Sequence, residues 1–564
     1  MKFRRKLAAF TAACVLGTAS FTGMEAAAAE IPEYMRSVTY FGDEWPINYW
    51  NSEDKNMEEN MARIAADGFN SLILVIPWRE FQPSEVGSYF NERAFERLDQ
   101  VMDCAERHGL EVVLRLGYVW DYLGATETPK RFADVTKEDG PERKLWLEYS
   151  KKVYETAAAH ENFWGGFITW EDFWNYTENM GRDMAMSSRI RMARDCGYQA
   201  YLEENYTLDQ VRSFYGPKLE SLEQVYIPYK DHPSAELFYE FYDHFLTGLM
   251  TETQTVFPGL SLEIRADGDV IYDGMGGKKY YSHSASYSCP GADYAALMYS
   301  VSMGQVNTGN KIPASEALTA MTRNLDSIYA AAGKPLYIEQ LLYMDSTEAF
   351  SHNTQVEDEQ VGAFVRGLAP VLSGRTNGYG LWVYRNYVNN AVYNSQFALE
   401  EEGWSFSRDS RVEERNGSRA AVIGKKGSIS QDLDGRIPGS SRIYVEFYAE
   451  AENGGSSVTV RLGGDEQTIH VSGGKTYRME FASLPRYTFS ITSERRILVD
   501  DIRVYTYEQN GRIYERDGSA GDLAEDFRTL NRELAAGSAS AEGQTAGSQS
   551  GEMPVTEASP AAAE

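Results

Sequence analysis

The chain has 564 residues, of which 43% are apolar, so it is long enough for two or more folded domains with ordinary hydrophobic cores. Its 54 basic and 83 acidic residues give a formal net charge of −29. This charge repels nucleic acids and anionic membranes and therefore argues against both as partners.

The first 29 residues have the pattern of a secretory signal peptide. Basic residues within 2–6 precede an apolar stretch over 7–21, and three alanines at 27–29 offer a cleavage site. A retained membrane anchor is the alternative interpretation. No later stretch is long and apolar enough to span a bilayer. We therefore expect a secreted, extracellular protein, and we expect it to be a monomer.

Residues 30–398 alternate short β-branched runs with amphipathic helical stretches, a pattern that predicts parallel strands covered by helices. Eight such strands favour a (β/α)₈ TIM barrel. An open doubly wound sheet is the alternative, but the turn after the first strand lacks the glycine-rich phosphate loop of that class. The eight predicted strands cover residues 38–41, 71–76, 111–116, 164–170, 261–266, 293–299, 335–339 and 379–383.

Helical periodicity and the connections between these strands complete the predicted barrel. Residues 184–257 are expected to form a long helical insertion after the fourth strand. Residues 267–290 are rich in Gly, Tyr and Ser and are expected to form a long loop. The remaining helices are predicted over residues 53–67, 92–107, 142–160, 314–332 and 357–372.

The pattern changes after residue 398. Residues 399–510 contain short alternating runs separated by glycine-rich turns, which predicts an all-β jelly-roll sandwich. Its closing run at 496–505 resembles the last strand of carbohydrate-binding modules; a domain that only braces the barrel is equally compatible with the pattern. Residues 511–564 are expected to form a flexible low-complexity tail, since Ala, Ser, Gly and Glu dominate its end.

Two glutamates occupy the positions where a barrel carries its chemistry, the C-terminal ends of strands. Glu171 follows the fourth predicted strand and Glu339 ends the seventh. A carboxylate in the apolar run around Glu339 is costly to bury unless it is used or paired. Strands 4 and 7 lie on opposite sides of a barrel, so the two carboxylates are expected to face each other. Glycoside cleavage requires such a pair; Asp172 is an alternative to Glu171.

Glutamates that end strands 4 and 7 resemble the signature of clan A glycoside hydrolases, which include the family 5 cellulases and mannanases and the family 42 galactosidases. The resemblance covers roughly residues 36–395. It implies that Glu171 is the acid/base and Glu339 the nucleophile of a retaining β-glycosidase. It also implies that Trp382 lies under the sugar at the cleavage point and that Arg79 orients the nucleophile.

Two positions depart from the pattern of that clan. Trp170 stands where the clan places an asparagine before the acid, and the segment of Arg115 replaces the strand-3 histidine of family 5. The sequence therefore does not identify the substrate. The candidates are a β-glucan-like or mannan-like poly- or oligosaccharide and an exopolysaccharide of the producing cell. The departures also motivate a second hypothesis, a non-catalytic carbohydrate-binding protein on a decayed barrel.

Other side chains near the predicted strand ends are candidates for binding sugar, because aromatic rings pack on sugar faces and polar groups bind hydroxyls. The histidines lack HxH or HExxH spacing, the cysteines lack metal-binding spacing, and no nucleotide-binding loop occurs, so neither a metal nor a cofactor is expected. The substrate-binding candidates are Trp78, Arg79, Arg115, Tyr118, Trp120, Trp170, Asp172, Trp174, Arg265, Tyr299, Trp382 and Arg385.

Overall fold

The computed structural model describes most of the chain from residue 34 to residue 547. The described residues are 34–83, 89–118, 135–137, 140–169, 185–229, 232–265, 269–272, 277–301, 310–346, 353–415, 417–437, 442–451, 454–482 and 486–547. The predicted signal peptide at 1–29 lies outside them. Among these ranges, we find no helix with the length and apolar character needed to cross a membrane.

Parallel strands close into an eight-stranded barrel within the described ranges, with the strands in chain order and the eighth paired to the first. The predicted TIM barrel is thereby confirmed, and an open sheet is excluded. The strands are Met35–Thr39 (β1), Ser71–Pro77 (β2), Glu111–Tyr118 (β3), Phe163–Ile168 (β4), Ser261–Arg265 (β5), Ala295–Ser300 (β6), Leu336–Leu342 (β7) and Thr376–Leu381 (β8).

Helices surround the barrel, and two of them match the predicted bounds at both ends. The helix at 314–332 begins directly after Pro313 and ends at Gly333, which has a left-handed backbone with φ 65°. The helices around the barrel are Met57–Ala66 (α1), Glu92–Arg107 (α2), Pro141–Ala157 (α3), Ala235–Thr253 (α4), Ala314–Ala332 (α5), Val361–Arg366 (α6), Leu368–Leu372 (α7) and Ala524–Gly547 (α8).

The connections after β4 and β5 differ in detail from the prediction. The stretch 184–257 is divided into separate helices, because turns at Gly197 and Gly216 interrupt it. The long loop predicted at 267–290 contains an antiparallel hairpin of Asp269–Tyr272 and Lys278–Tyr281. The helices before α4 are Met186–Asp195, Tyr198–Asn205 and Leu208–Tyr215.

The predicted β-sandwich is present as two five-stranded antiparallel sheets, whose strands are numbered β9 to β18 in chain order from residue 405 to residue 505. One sheet has the strand order β9-β12-β17-β14-β15, and the other has the order β10-β11-β18-β13-β16. Alternate residues of their strands form one apolar core between the sheets. The four strands before residue 433 were not predicted. The strands are Ser405–Phe406 (β9), Arg411–Arg415 (β10), Ser418–Ile423 (β11), Gly427–Asp432 (β12), Arg442–Ala451 (β13), Ser456–Leu462 (β14), Asp465–Val471 (β15), Lys475–Ala482 (β16), Thr488–Ser493 (β17) and Ile497–Tyr505 (β18).

Charged contacts join the sandwich to the loop between β1 and α1. The buried Glu44 carboxylate lies 2.7 Å from Arg503 of β18 and accepts a hydrogen bond from Gln396. Lys55 of the same loop lies 3.7 Å from Asp500. These contacts hold the β1–α1 loop against the sandwich.

The predicted flexible tail at 511–564 is wrong for its first part, because this segment packs on the barrel. Leu523, Phe527, Leu530 and Leu534 follow helical spacing and are buried in the barrel's outer core. Asn531 of α8 donates a hydrogen bond to the Asp67 carbonyl at the end of α1.

Helix α8 also contacts β8 and α6, which both precede the sandwich in the chain. Asn531 accepts a hydrogen bond from the Tyr379 hydroxyl of β8, and Asp526 pairs with Arg366 of α6. Helix α8 thus packs against β8, α6 and the end of α1, which is the position of the eighth outer helix in a (β/α)₈ barrel. The sandwich is therefore inserted between β8 and α8 in the chain.

Replacement of Leu530 by alanine tests this packing. Leu530 is fully buried, so Leu530→Ala should lower the free energy of unfolding by about 2–5 kcal/mol through lost burial and a cavity. Glu533→Ala, at an exposed position of the same helix, is the matched control and should change it by less than about 0.5 kcal/mol. Equal urea-unfolding curves for the two variants would contradict the packing of α8.

A second prediction concerns the pH dependence of stability at the barrel–sandwich contact. Burial raises the pKa of Asp500 to about 7, although Lys55 opposes the rise. The folded state then binds more protons than the unfolded state between about pH 4 and pH 7, so this group lowers stability as the pH rises through that range. Asp500→Asn should remove this part of the pH dependence. Unchanged slopes of unfolding free energy between pH 4 and 8 would contradict it.

Candidate active site

The barrel interior is apolar in its lower part. Val113, Phe167 and Tyr337 project inward from β3, β4 and β7 and pack in one small cluster. The Tyr337 hydroxyl donates a hydrogen bond to Ser37 of β1 at 2.7 Å. Burial raises the pKa of Tyr337 above its usual range, and the Glu339 charge adds to that rise. The hydroxyl is thus a stable donor in the floor of the barrel.

A polar layer lies one interior step above this floor, because side chains of a strand alternate between its two faces. Arg115, Thr169 and Glu339 each follow a floor residue by two positions. Glu339 is 1% exposed and Arg115 is 2% exposed. The barrel strands thus bring together two of the predicted site residues.

The Arg115 guanidinium lies at the centre of this layer and contacts side chains of β5, of β7 and of the residue that follows β4. Its Nη1 lies 3.9 Å from Glu339 Oε2 and donates to Gln340 Oε1 at 2.7 Å. Its Nη2 lies 3.1 Å from Glu263 Oε2 and donates to Thr169 Oγ1 at 3.0 Å. One buried cation thus lies beside two buried carboxylates and attracts both of them.

Glu263, Gln340 and Thr169 were not among the predicted site residues. Glu263 is fully buried on β5, two positions before the predicted Arg265. The sequence did indicate this position, because residues two positions apart in a strand share a face. If Arg265 faces the interior, Glu263, which lies between a leucine and an isoleucine, does so too. Arg265 itself ends β5 half-buried.

Trp382 lies one residue past β8, at the C-terminal end of the barrel. Its indole nitrogen donates to the Tyr387 hydroxyl at 3.0 Å, and its ring contacts Phe41 with centroids 5.8 Å apart. The side chain is partly buried, so the neighbouring aromatic residues fix its orientation while part of it stays accessible.

Two predicted sugar-binding residues face the helices in the structure. Trp78 begins a short helix, Trp78–Phe81, and packs on Trp146 of α3 with centroids 5.2 Å apart. Tyr299 is buried and lies beside Asn324 of α5. Neither ring lies on the interior face of the barrel.

Two predicted arginines contact other parts of the chain. Arg385 pairs with Asp43 and donates to the Arg516 carbonyl. Arg79 lies near Tyr393, where its charge opposes the rise in the pKa of that hydroxyl. Other predicted residues fall outside the described residues, or, for Tyr118, have a described backbone only. They are Tyr118, Trp120, Trp170, Glu171, Asp172 and Trp174.

Comparison of the sequence with protein-family models and with curated proteins gives no match. Among solved structures, GH5_18 from Streptomyces cattleya in complex with GlcNAc is 14% identical, with 63% of this chain and 72% of that chain covered and a TM-score of 0.41.

Two further solved structures are similar at the same level. GH5_18 from Bifidobacterium longum subsp. infantis is 12% identical, with coverage of 63% and 70% and a TM-score of 0.39. The exo-beta-1,4-mannosidase Op5Man5 from Opitutaceae bacterium strain TAV5 is 12% identical, with coverage of 63% and 53% and a TM-score of 0.38. The closed strand order of the chain itself establishes its fold.

Replacement of Arg115 by methionine tests the charged layer. Arg115→Met leaves two buried carboxylates without their shared cation, so it should lower the free energy of unfolding by about 3–5 kcal/mol at neutral pH. Arg191→Met, at an exposed helical position, is the control and should have little effect. A methionine variant as stable as the control in urea unfolding would contradict the shared pairing.

Proposed function

We propose that the protein is a secreted retaining β-glycosidase that hydrolyses O-glycosidic bonds by double displacement. One observation carries the proposal: the Glu339 carboxylate of β7 is buried in the polar layer above the floor of a TIM barrel, with Arg115 as its counter-ion. A carboxylate in the interior of such a barrel, with a cation beside it, suits the role of nucleophile.

In the first step, a Glu339 oxygen bonds to C1 of the sugar while the bond from C1 to the leaving oxygen breaks. Glu171 gives its proton to that oxygen. In the second step, Glu171 takes a proton from water, whose oxygen attacks C1 and releases Glu339. Both steps conserve charge, and no external reactant besides water is needed.

The direction of Thr169 favours Glu171 over Asp172 as the acid/base. The Thr169 hydroxyl contacts Arg115 in the barrel interior. Side chains of a strand alternate with a period of two, so the sequence predicts an interior position for residue 171 and an outer one for residue 172.

The net charge of −29 favours a neutral or weakly charged substrate over a polyanion. We therefore propose a β-linked poly- or oligosaccharide outside the cell, such as a β-glucan, a mannan or an exopolysaccharide. The sandwich is proposed to bind the same polymer or to brace the barrel, and Glu44 and Arg503 support the bracing role.

Substitution of Glu339 by glutamine tests the nucleophile. Glu339→Gln keeps the size of the side chain but removes the attacking charge, so kcat on a cleaved aryl β-glycoside should fall about 10³-fold or more with the fold intact. Glu316→Gln, on the exposed face of α5, is the control and should keep wild-type turnover.

A covalent trap gives an independent measurement. A panel of 2-deoxy-2-fluoro β-glycosides should add one sugar mass to the wild-type protein, on the peptide that contains Glu339. Wild-type turnover by Glu339→Gln would overturn the proposal. Glycan binding without cleavage by the wild-type protein would also overturn it and would favour the non-catalytic barrel.

A further inference from the structure

We propose that Glu263 is a positioning residue for Glu339: through Arg115, it fixes where the nucleophile's counter-ion points. The inference rests on the proposed function, and it assigns a task to a buried carboxylate that the double displacement does not otherwise use. Glu263 does not need to touch the sugar for this task.

The contacts of Arg115 divide between the two sides of its planar guanidinium. Nη2 is held at 3.1 Å from Glu263 and donates to Thr169 at 3.0 Å. Nη1 faces β7, where Gln340 and Glu339 lie. Because the guanidinium is rigid and planar, contacts that fix Nη2 also fix the direction of Nη1.

The two ion pairs are unequal in length. Arg115 lies 3.1 Å from the Glu263 carboxylate but 3.9 Å from that of Glu339. The shorter pair fixes the cation, and the longer pair lets it stabilise Glu339 without holding the attacking oxygen in a tight hydrogen bond.

Burial indicates that this ion pair serves more than stability. Glu263 is 0% exposed, and Arg115 and Glu339 are nearly so. Buried ion pairs stabilise a fold no better than well-packed apolar side chains do. The floor below is apolar, so an apolar pair at β3 and β5 would have fitted the same barrel. We therefore attribute the charges of Arg115 and Glu263 to a role in positioning the neighbouring Glu339 carboxylate.

The charge of Glu263 also affects the ionisation of Glu339. Glu339 lies 3.9 Å from Arg115 of β3, its charge acts on Tyr337 of β7, and Glu263 of β5 is joined to it through Arg115. Glu263 repels a negative charge on Glu339 and takes part of the attraction of Arg115. Neutral glutamine at position 263 should therefore make Glu339 easier to ionise.

The test compares Glu263→Gln with Glu446→Gln. Glu446 is a buried glutamate of the sandwich that also pairs with arginines, Arg478 and Arg516, so it controls for the loss of a buried pair. Both variants should fold. Glu263→Gln should lower kcat about 10- to 100-fold with KM changed less than threefold, since a misplaced counter-ion misplaces the nucleophile.

The pH profile separates positioning from a structural role. In Glu263→Gln, the acidic limb of kcat/KM should shift to lower pH by about half a unit or more. In Glu446→Gln, both the limb and kcat should equal those of the wild type. A Glu263→Gln variant that loses only stability, with wild-type kcat and an unmoved limb, would overturn the inference.

Two further measurements keep the inference testable. If Glu263→Gln does not fold, Arg115→Lys retains the charge without the planar fork and should lower kcat with little change in the limb; wild-type kcat would overturn the inference. Titration of ¹³C-carboxyl-labelled glutamate, assigned with Glu339→Gln, reports the ionisation of Glu339 without turnover. An unshifted Glu339 midpoint in Glu263→Gln overturns the inference, whereas an inactive wild type with a shifted midpoint overturns only the proposed function.

Discussion

The upper interior of the barrel depends on one shared cation. Arg115 reaches from β3 to Glu263 on β5 and to Glu339 on β7, and it donates hydrogen bonds to Thr169 and Gln340. Removing two carboxylates from water is costly, and a single guanidinium offsets part of that cost. The spacing of the strands around this layer is therefore tied to the same contacts that set the electrostatics of the site.

Much of the barrel could be predicted because each local signal agreed with the fold. The apolar runs of β2 and β7 are those of strands buried on both faces. The helix at 314–332 has a proline before its start and a glycine after its end, and its predicted bounds were exact. The helix predicted at 357–372 is divided at Gly367, since glycine weakens a helix interior.

The directions of individual site residues were harder to predict. In a strand, a shift of one position turns a side chain from the interior to the helical layer. Tyr299 lies on the outer face of β6 for this reason. Trp78 starts a helix directly after β2, so the alternation of the strand no longer applies. Glu263 lies in the middle of β5, two positions before Arg265, the strand-end residue that was predicted instead.

The position of α8 also escaped prediction, for a different reason. Low-complexity composition at the end of the chain masked four apolar residues at helical spacing, and their partners lie far away in sequence. Asn531 and Asp67 are 464 positions apart. Such a contact cannot be predicted from the local sequence, because both residues are ordinary polar residues in their own segments.

That long-range contact has a consequence for biosynthesis. All eight barrel strands are synthesised before the sandwich. The groove between α1 and α6 is covered only later, when residues 524–534 emerge. During that interval the nascent barrel presents apolar surface, which binds chaperones or neighbouring chains. The order of the chain therefore makes α8 the element that completes a barrel whose eight strands are all synthesised earlier.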